Sequence, residues 1–243
     1  MFVHYRTSGI VLKKENRGED SQVITIFTKD FGKLKILGKA IRKIKSKLRA
    51  SIPLFSLSEI EFIQGKAYKT LTDAILTENF KNTDKNLEKL KIAYNVSDIT
   101  DNLIKGEERD RDVWILLYKT FHYLNNSLSE NSYSLVYYYF LWNFFSILGY
   151  KPELKKCAIC QNNLNPINFY FSPEQGGTIC NKCFKKTKER KKVHSETIKI
   201  LRVILEKDWK FLARLKIEPE HKKNLNLISK YYLSYLYNIL EIS

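Results

Sequence analysis

Residues 23–38 read Val23-Ile24-Thr25-Ile26-Phe27-Thr28, then Lys29-Asp30-Phe31-Gly32, then Lys33-Leu34-Lys35-Ile36-Leu37-Gly38. β-Branched and aromatic residues fill the first six positions, a polar turn ending in glycine follows, and the last stretch alternates charged with apolar side chains. Branched side chains suit the pleated surface of a sheet, and a period of two places every second side chain on one face. The stretch therefore predicts an antiparallel hairpin. Upstream, Thr7, Gly9 and Val11 alternate with Ser8, Ile10 and Leu12 between Tyr5 and Lys14, and the polar loop Asn16-Arg17-Gly18 leads back to Val23. Downstream, Phe55 to Ile63 and, after Gln64-Gly65, Tyr68 to Leu76 read as two further strands. Five short strands in about 80 residues suit a small β-barrel; an OB-fold is the commonest with five strands, and an SH3-like barrel would show the same periodicity.

Beyond residue 80 the period becomes helical. Thr83 and Asp84 are candidate N-caps for a segment carrying Leu87, Leu90, Tyr94, Ile99 and Leu103, followed by one carrying Val113, Leu116, Leu117, Thr120, Phe121 and Leu124. A third runs from about Ser132 to Leu148. A fourth, capped by Ser195, carries Ile198, Leu201, Leu205, Trp209, Leu212 and Leu215, and a fifth carries Leu225, Ile228, Tyr232, Leu236 and Ile239. The expected domains are thus a barrel over 1–80 and an α-helical, bundle-like body over 81–243. Asn131 to Tyr150 has no charged residue and is long enough to span a bilayer. Its five tyrosines and its scattered Asn131, Ser132, Ser134, Asn143 and Ser146 argue for a buried aromatic helix and against a membrane.

Lys plus Arg number 42 against 26 Asp plus Glu, a formal charge of +16 that calls for an anionic partner. The excess is +7 over 1–80, −1 over 81–150 and +10 over 151–243. Between Lys33 and Arg49, eight of seventeen residues are basic and none is acidic: Lys33, Lys35, Lys39, Arg42, Lys43, Lys45, Lys47 and Arg49. Lys33 and Lys35 alternate with Leu34 and Ile36, which puts both amines on one face of a strand, and the rest follow in a loop. Such a one-sided surface suits the phosphate backbone of a nucleic acid, with Phe27, Phe31 and Phe55 as core residues or stacking platforms. A further basic cluster, Lys182, Lys185, Lys186, Lys188, Arg190, Lys191 and Lys192, is opposed only by Glu189.

The four cysteines form two pairs, Cys157-Ala-Ile-Cys160 and Cys180-Asn-Lys-Cys183, with nineteen residues between. This is the spacing of a four-thiolate structural zinc site, in which two C-x-x-C turns each present two sulfurs to one ion. One structural zinc is expected, in a finger at about 154–186, because four thiolates leave no open position for catalysis. Enzyme motifs are missing. Asp30-Phe31-Gly32 copies a kinase triplet, but no glycine-rich phosphate loop, His-Arg-Asp or Val-Ala-Ile-Lys accompanies it. Glu107-Glu108 and Asp110-Arg111-Asp112 sit where a helix begins and acids favour its dipole. No enzyme is expected. The start Met1-Phe2-Val3-His4-Tyr5-Arg6 turns polar before any apolar run could make a signal peptide, which points to the reducing cytoplasm and disfavours disulfides between the cysteines.

These residues resemble the bacterial RecO family of recombination mediators. The likeness lies in Gly9-Ile10-Val11-Leu12, Gly18-Glu19, Leu37-Gly38-Lys39-Ala40 leading to Lys45-Ser46-Lys47, and Pro53-Leu54. It continues in Leu148-Gly149-Tyr150-Lys151-Pro152 before Cys157, and in Phe171-Ser172 with Gly176-Gly177 before Cys180. The resemblance implies an N-terminal OB-fold, an α-helical domain with an embedded zinc finger, and a nucleoid-associated cytoplasmic protein. It further implies binding of single- and double-stranded DNA, strand annealing, and cooperation with RecR to load RecA onto DNA coated by single-strand binding protein (SSB). The acidic tail of SSB would then find apolar and basic residues among Trp209, Arg214, Lys216 and Lys230. The rival class is a zinc-ribbon transcription or RNA-binding factor, which charge and cysteines alone would also allow; a metal-dependent nuclease is a second.

Overall fold

The computed structural model describes residues 3–65, 67–164, 169–185, 187 and 190–240. The chain divides into two compact units, Met1–Leu128 and Ser129–Ser243.

In the first unit, β1 (His4–Arg17), β2 (Ser21–Thr28), β3 (Gly32–Gly38), β4 (Leu57–Gln64) and β5 (Lys69–Glu78) close into a barrel in the order β1-β2-β3-β5-β4. Every pairing is antiparallel except β3 with β5, so the connectivity is that of an OB-fold. Alternation sends Leu34 and Ile36 inward with Val11, Ile24, Ile26, Ile60, Phe62 and Leu71, and turns Lys35 out. β1 departs from alternation: Ile10, Val11 and Leu12 are all buried, because a bulge between Val11 and Lys13 adds a residue and rotates the strand. The Asp30-Phe31-Gly32 triplet is the β2–β3 turn. Thr28 Oγ1 donates to the Gly32 carbonyl at 2.9 Å and accepts from the Phe31 N–H at 3.1 Å. Phe31 packs edge-on against Tyr5 and Phe62, while Phe27 and Phe55 are fully buried, so these three rings serve the core and stack on nothing outside.

A short helix, α1 (Lys47–Ser51), fills the β3–β4 connection, where only charge was legible. Phe55, expected inside the fourth strand, precedes it with φ +58°. Its ring meets Tyr94 and Phe121 at 5.0 and 5.7 Å, and Phe121 also stacks on Phe80. Thus α2 (Lys81–Asp84), α3 (Leu87–Leu103) and α4 (Arg111–Asn126) belong to the barrel's unit; the division by packing comes at residue 128, later than the change of period near residue 80. Thr83 and Asp84 fall within α2, and the side chain that caps α3 is Asn86, whose Oδ1 accepts from the N–H groups of Glu88 and Lys89. The buried face of α3 carries Ala93, Val96, Thr100 and Leu103, while Leu87 and Tyr94 lie outside.

The second unit joins α5 (Glu130–Ile147), a sheet of β6 (Phe169–Ser172), β7 (Gly177–Cys180) and β8 (Lys191–Lys192) in the order β7-β6-β8, α6 (Asn181–Phe184), α7 (Ser195–Glu206), α8 (Trp209–Leu212) and α9 (Pro219–Ile239). The uncharged segment is α5, buried through Leu135, Val136, Phe140, Leu141, Trp142, Phe144 and Phe145; among the described residues no helix is long and apolar enough to cross a membrane. Trp142 stacks on Tyr232 of α9 at 5.4 Å, meets Phe171 of β6 edge-on, and donates to Ser229 Oγ at 3.0 Å. The stripe expected to run unbroken from Ile198 to Leu215 divides at Lys207–Asp208, where Asp208 caps α8 by accepting from the Phe211 N–H.

Candidate metal centre and nucleic-acid surface

The sheet and α6 bring the cysteine pairs together. Gly177, at φ +157°, lies so close to Glu153 that a Cβ would fall 2.2 Å from its carbonyl, and only glycine permits the approach. The Ala158 N–H donates to the Thr178 carbonyl at 2.8 Å, and the Gln161 N–H to the Cys157 carbonyl at 2.9 Å. These bonds set the knuckle beside β7. The Sγ atoms of Cys157, Cys160, Cys180 and Cys183 all lie within 4.8 Å of one another, those of Cys160 and Cys180 at 3.8 Å. A tetrahedron with metal–sulfur arms of ~2.3 Å has edges of ~3.8 Å, so the donor set fits one tetrahedral ion. Desolvation opposes the Cys157 thiolate, yet the N–H groups of Cys160, Cys180 and Ile159 outweigh it and bring this thiol down to about 6. Burial, then the neighbouring sulfurs, push Cys183 up to about 12. Crowded sulfurs cannot all ionise beside one another, and a divalent cation removes that conflict.

On the barrel, Lys35, Lys39, Arg42, Lys43, Lys45, Lys47 and Arg49 are all exposed. Lys33 is placed otherwise. Its amine reaches α3, where it donates to the Asp101 backbone carbonyl and, at 3.0 Å, to its carboxylate, leaving the side chain 12% exposed. The loop is pinned to the β1–β2 turn, a role for Gly18-Glu19-Asp20 that charge counting missed although Gly18-Glu19 stood in the family likeness. Arg42 donates from its backbone N–H to the Asp20 carbonyl at 2.9 Å and from its guanidinium to the Glu19 carbonyl at 2.8 Å. The Ala40 N–H bonds Ser21 Oγ, and Lys43 pairs with Asp20 at 3.2 Å. Ile41 plugs the barrel beneath and packs so tightly on Gly38 that a side chain there would press on it. Lys14 belongs to this patch: burial, then nearby Arg49, lower its amine to about 8. In the second unit, Lys182 and Lys185 are described, with Arg190 over the Phe184 ring and Lys191 over Tyr231, both near 4 Å. Lys186, Lys188 and Glu189 lie outside the described residues.

Fold and site define the chain as an OB-fold protein with a four-cysteine module set into its helical part. Residues 1–80 match the model of the Recombination protein O N terminal, and 84–240 that of the Recombination protein O C terminal. DNA repair protein RecO of Halalkalibacterium halodurans is 28% identical over 232 residues, covering 95% of this chain and 89% of the relative. That of Dehalococcoides mccartyi strain 195 is 32% identical over 223 residues, covering 92% and 87%, and that of Caldanaerobacter subterraneus is 26% identical over 234 residues, covering 95% and 92%. The chain belongs to the RecO family, and its role is in DNA repair and recombination.

Proposed function

We propose that this protein is a non-enzymatic recombination mediator of the nucleoid. It binds single- and double-stranded DNA, anneals complementary strands and, with RecR, helps RecA onto strands coated by SSB. The observation that carries the reading is the exposed basic run in a RecO-family chain: seven cations from Lys35 to Arg49, pinned to the β1–β2 turn, with Lys43 paired to Asp20. Lys33 contributes by fixing β3 to α3 rather than by meeting DNA. Lysines and arginines presented on β3, the loop after it and the short α1, with no polar side chains poised on a recognition helix among the described residues, position a backbone without reading bases, so binding tolerates any sequence. Cations on one protein screen the repulsion between two strands, which promotes annealing without a nucleotide cofactor.

Cys157, Cys160, Cys180 and Cys183 hold one structural zinc, whose chemistry is to lock the knuckle and not to activate water. The acidic SSB tail fits the open concavity of about 640 Å³ lined by Lys210, Phe211, Arg214, Leu215 and Lys216. Two of the expected residues line it; Trp209 instead packs edge-on to Tyr139. The test is a complementary-strand annealing assay with zinc analysis of the same preparation. Annealing of unrelated sequences at similar rates, without ATP and with about one zinc per chain, supports the reading; Mg²⁺-dependent cleavage or preference for one sequence contradicts it.

A further inference from the structure

Strand register brings three segments to one end of the barrel. Arg17 pairs with Ser21 at the β1–β2 turn, Gln22 with Gly38, and Leu37 with Thr70. The turn, the exit of β3 into the basic loop and the approach to β5 therefore meet there. The Arg17 guanidinium carbon lies 4.0 Å above the centre of the Tyr68 ring. Arg17 is exposed and Tyr68 is 40% exposed, the one exposed aromatic among the described residues of the barrel and its loops. Among those residues Arg17 has no ion-pair partner. Gly65 and Tyr68 approach closely: the Gly65 N–H donates to the Tyr68 carbonyl at 3.1 Å, and a Cβ at Gly65 would lie 2.4 Å from that oxygen. The cations stand beside the pair, since Lys39 follows Gly38 directly and Arg42 donates to the Glu19 carbonyl two residues from Arg17.

The geometry points to a stacking platform, Arg17 on Tyr68, that takes one unpaired nucleobase of a single strand while the neighbouring loop holds its phosphates; it rests on the DNA-binding reading above and gives that surface its ligand class. A guanidinium over a phenol ring is a flat, polarisable, cationic surface. Every base has a π-face, so stacking there is sequence-tolerant. A base inside a duplex is covered on both faces by its neighbours and cannot reach the platform. The same cationic loop can therefore serve both forms of DNA, while the platform favours the single strand.

The test compares an oligothymidylate, a strand of abasic sites of equal length and a duplex by fluorescence anisotropy. Tyr68→Ala should weaken oligothymidylate binding roughly 5- to 100-fold, the size of one lost base–aromatic stack, and leave abasic strand, duplex and salt slope unchanged. Unchanged abasic binding shows that the variant is folded. Tyr68→Trp should bind as the parent does, and Arg17→Lys, which keeps the charge but loses the flat guanidinium, should repeat the selective loss. Equal losses on all three ligands, or no loss on any while the parent binds, overturn the platform alone. A parent that binds none of the three overturns the underlying DNA-binding reading with it.

Discussion

Gly32 and Lys14 show how single residues set the first unit. At Gly32, φ is +64° and a Cβ would fall 2.0 Å from the Glu108 carbonyl oxygen. Left-handed backbone costs an L-residue about 1–2 kcal/mol before any clash. Gly32→Ala should therefore lower stability by more than ~2 kcal/mol in urea unfolding, whereas alanine at Gly106, also at positive φ but with open space around it, should cost only the backbone strain. Lys14 bears on pH. Its folded pKa, about 8, lies below the ordinary 10.5, so the native state disfavours the charged amine. The stability present above about 10.5 is lost as pH falls toward 8. Lys14→Met should thus stabilise the protein by about 1–3 kcal/mol at pH 7, and its advantage should shrink as pH rises from 8 to 10.5 in a series of denaturation curves.

Among the elements, the strands were readable because alternation is a local signal that burial on one face enforces. Leu34, Lys35 and Ile36 stand as their pattern implied, whereas Lys33 has the right strand but an unforeseen partner. Asp101 lies 68 residues away, and no local pattern records such an ion pair. The same limit hid Phe55, whose ring packs on Tyr94 and Phe121 of helices that a window of neighbouring residues does not contain. The break between α7 and α8 was masked because Trp209 and Leu212 happen to continue the helical period. The cysteine cluster was legible from spacing alone, since a C-x-x-C turn has few ways to present two sulfurs. What spacing did not show is its connection to the helices, through Phe171 against Trp142. Chelation of the metal, or Cys180→Ser, should therefore shift tryptophan emission and lower the unfolding temperature of the second unit while the β-barrel circular dichroism persists. Unchanged emission and melting would separate the cysteines from the fold.

For the whole molecule, charge is the property that function draws on. The +16 excess is concentrated at the two ends of the sequence, and on the barrel it is displayed on β3 and a loop held in place by hydrogen bonds of Ala40 and Arg42 to the β1–β2 turn. The central claim is that this loop holds DNA through phosphates. The most direct measurement is the salt dependence of single-strand affinity for the parent protein and for Lys35→Glu combined with Lys39→Glu. With about four to six phosphates neutralised, log K should fall against log salt with a slope of roughly −3 to −4 for the parent, and the double variant should bind more weakly, with a slope shallower by one or more units. Equal affinity and equal slope in a folded double variant would contradict the account and move the DNA site off the barrel.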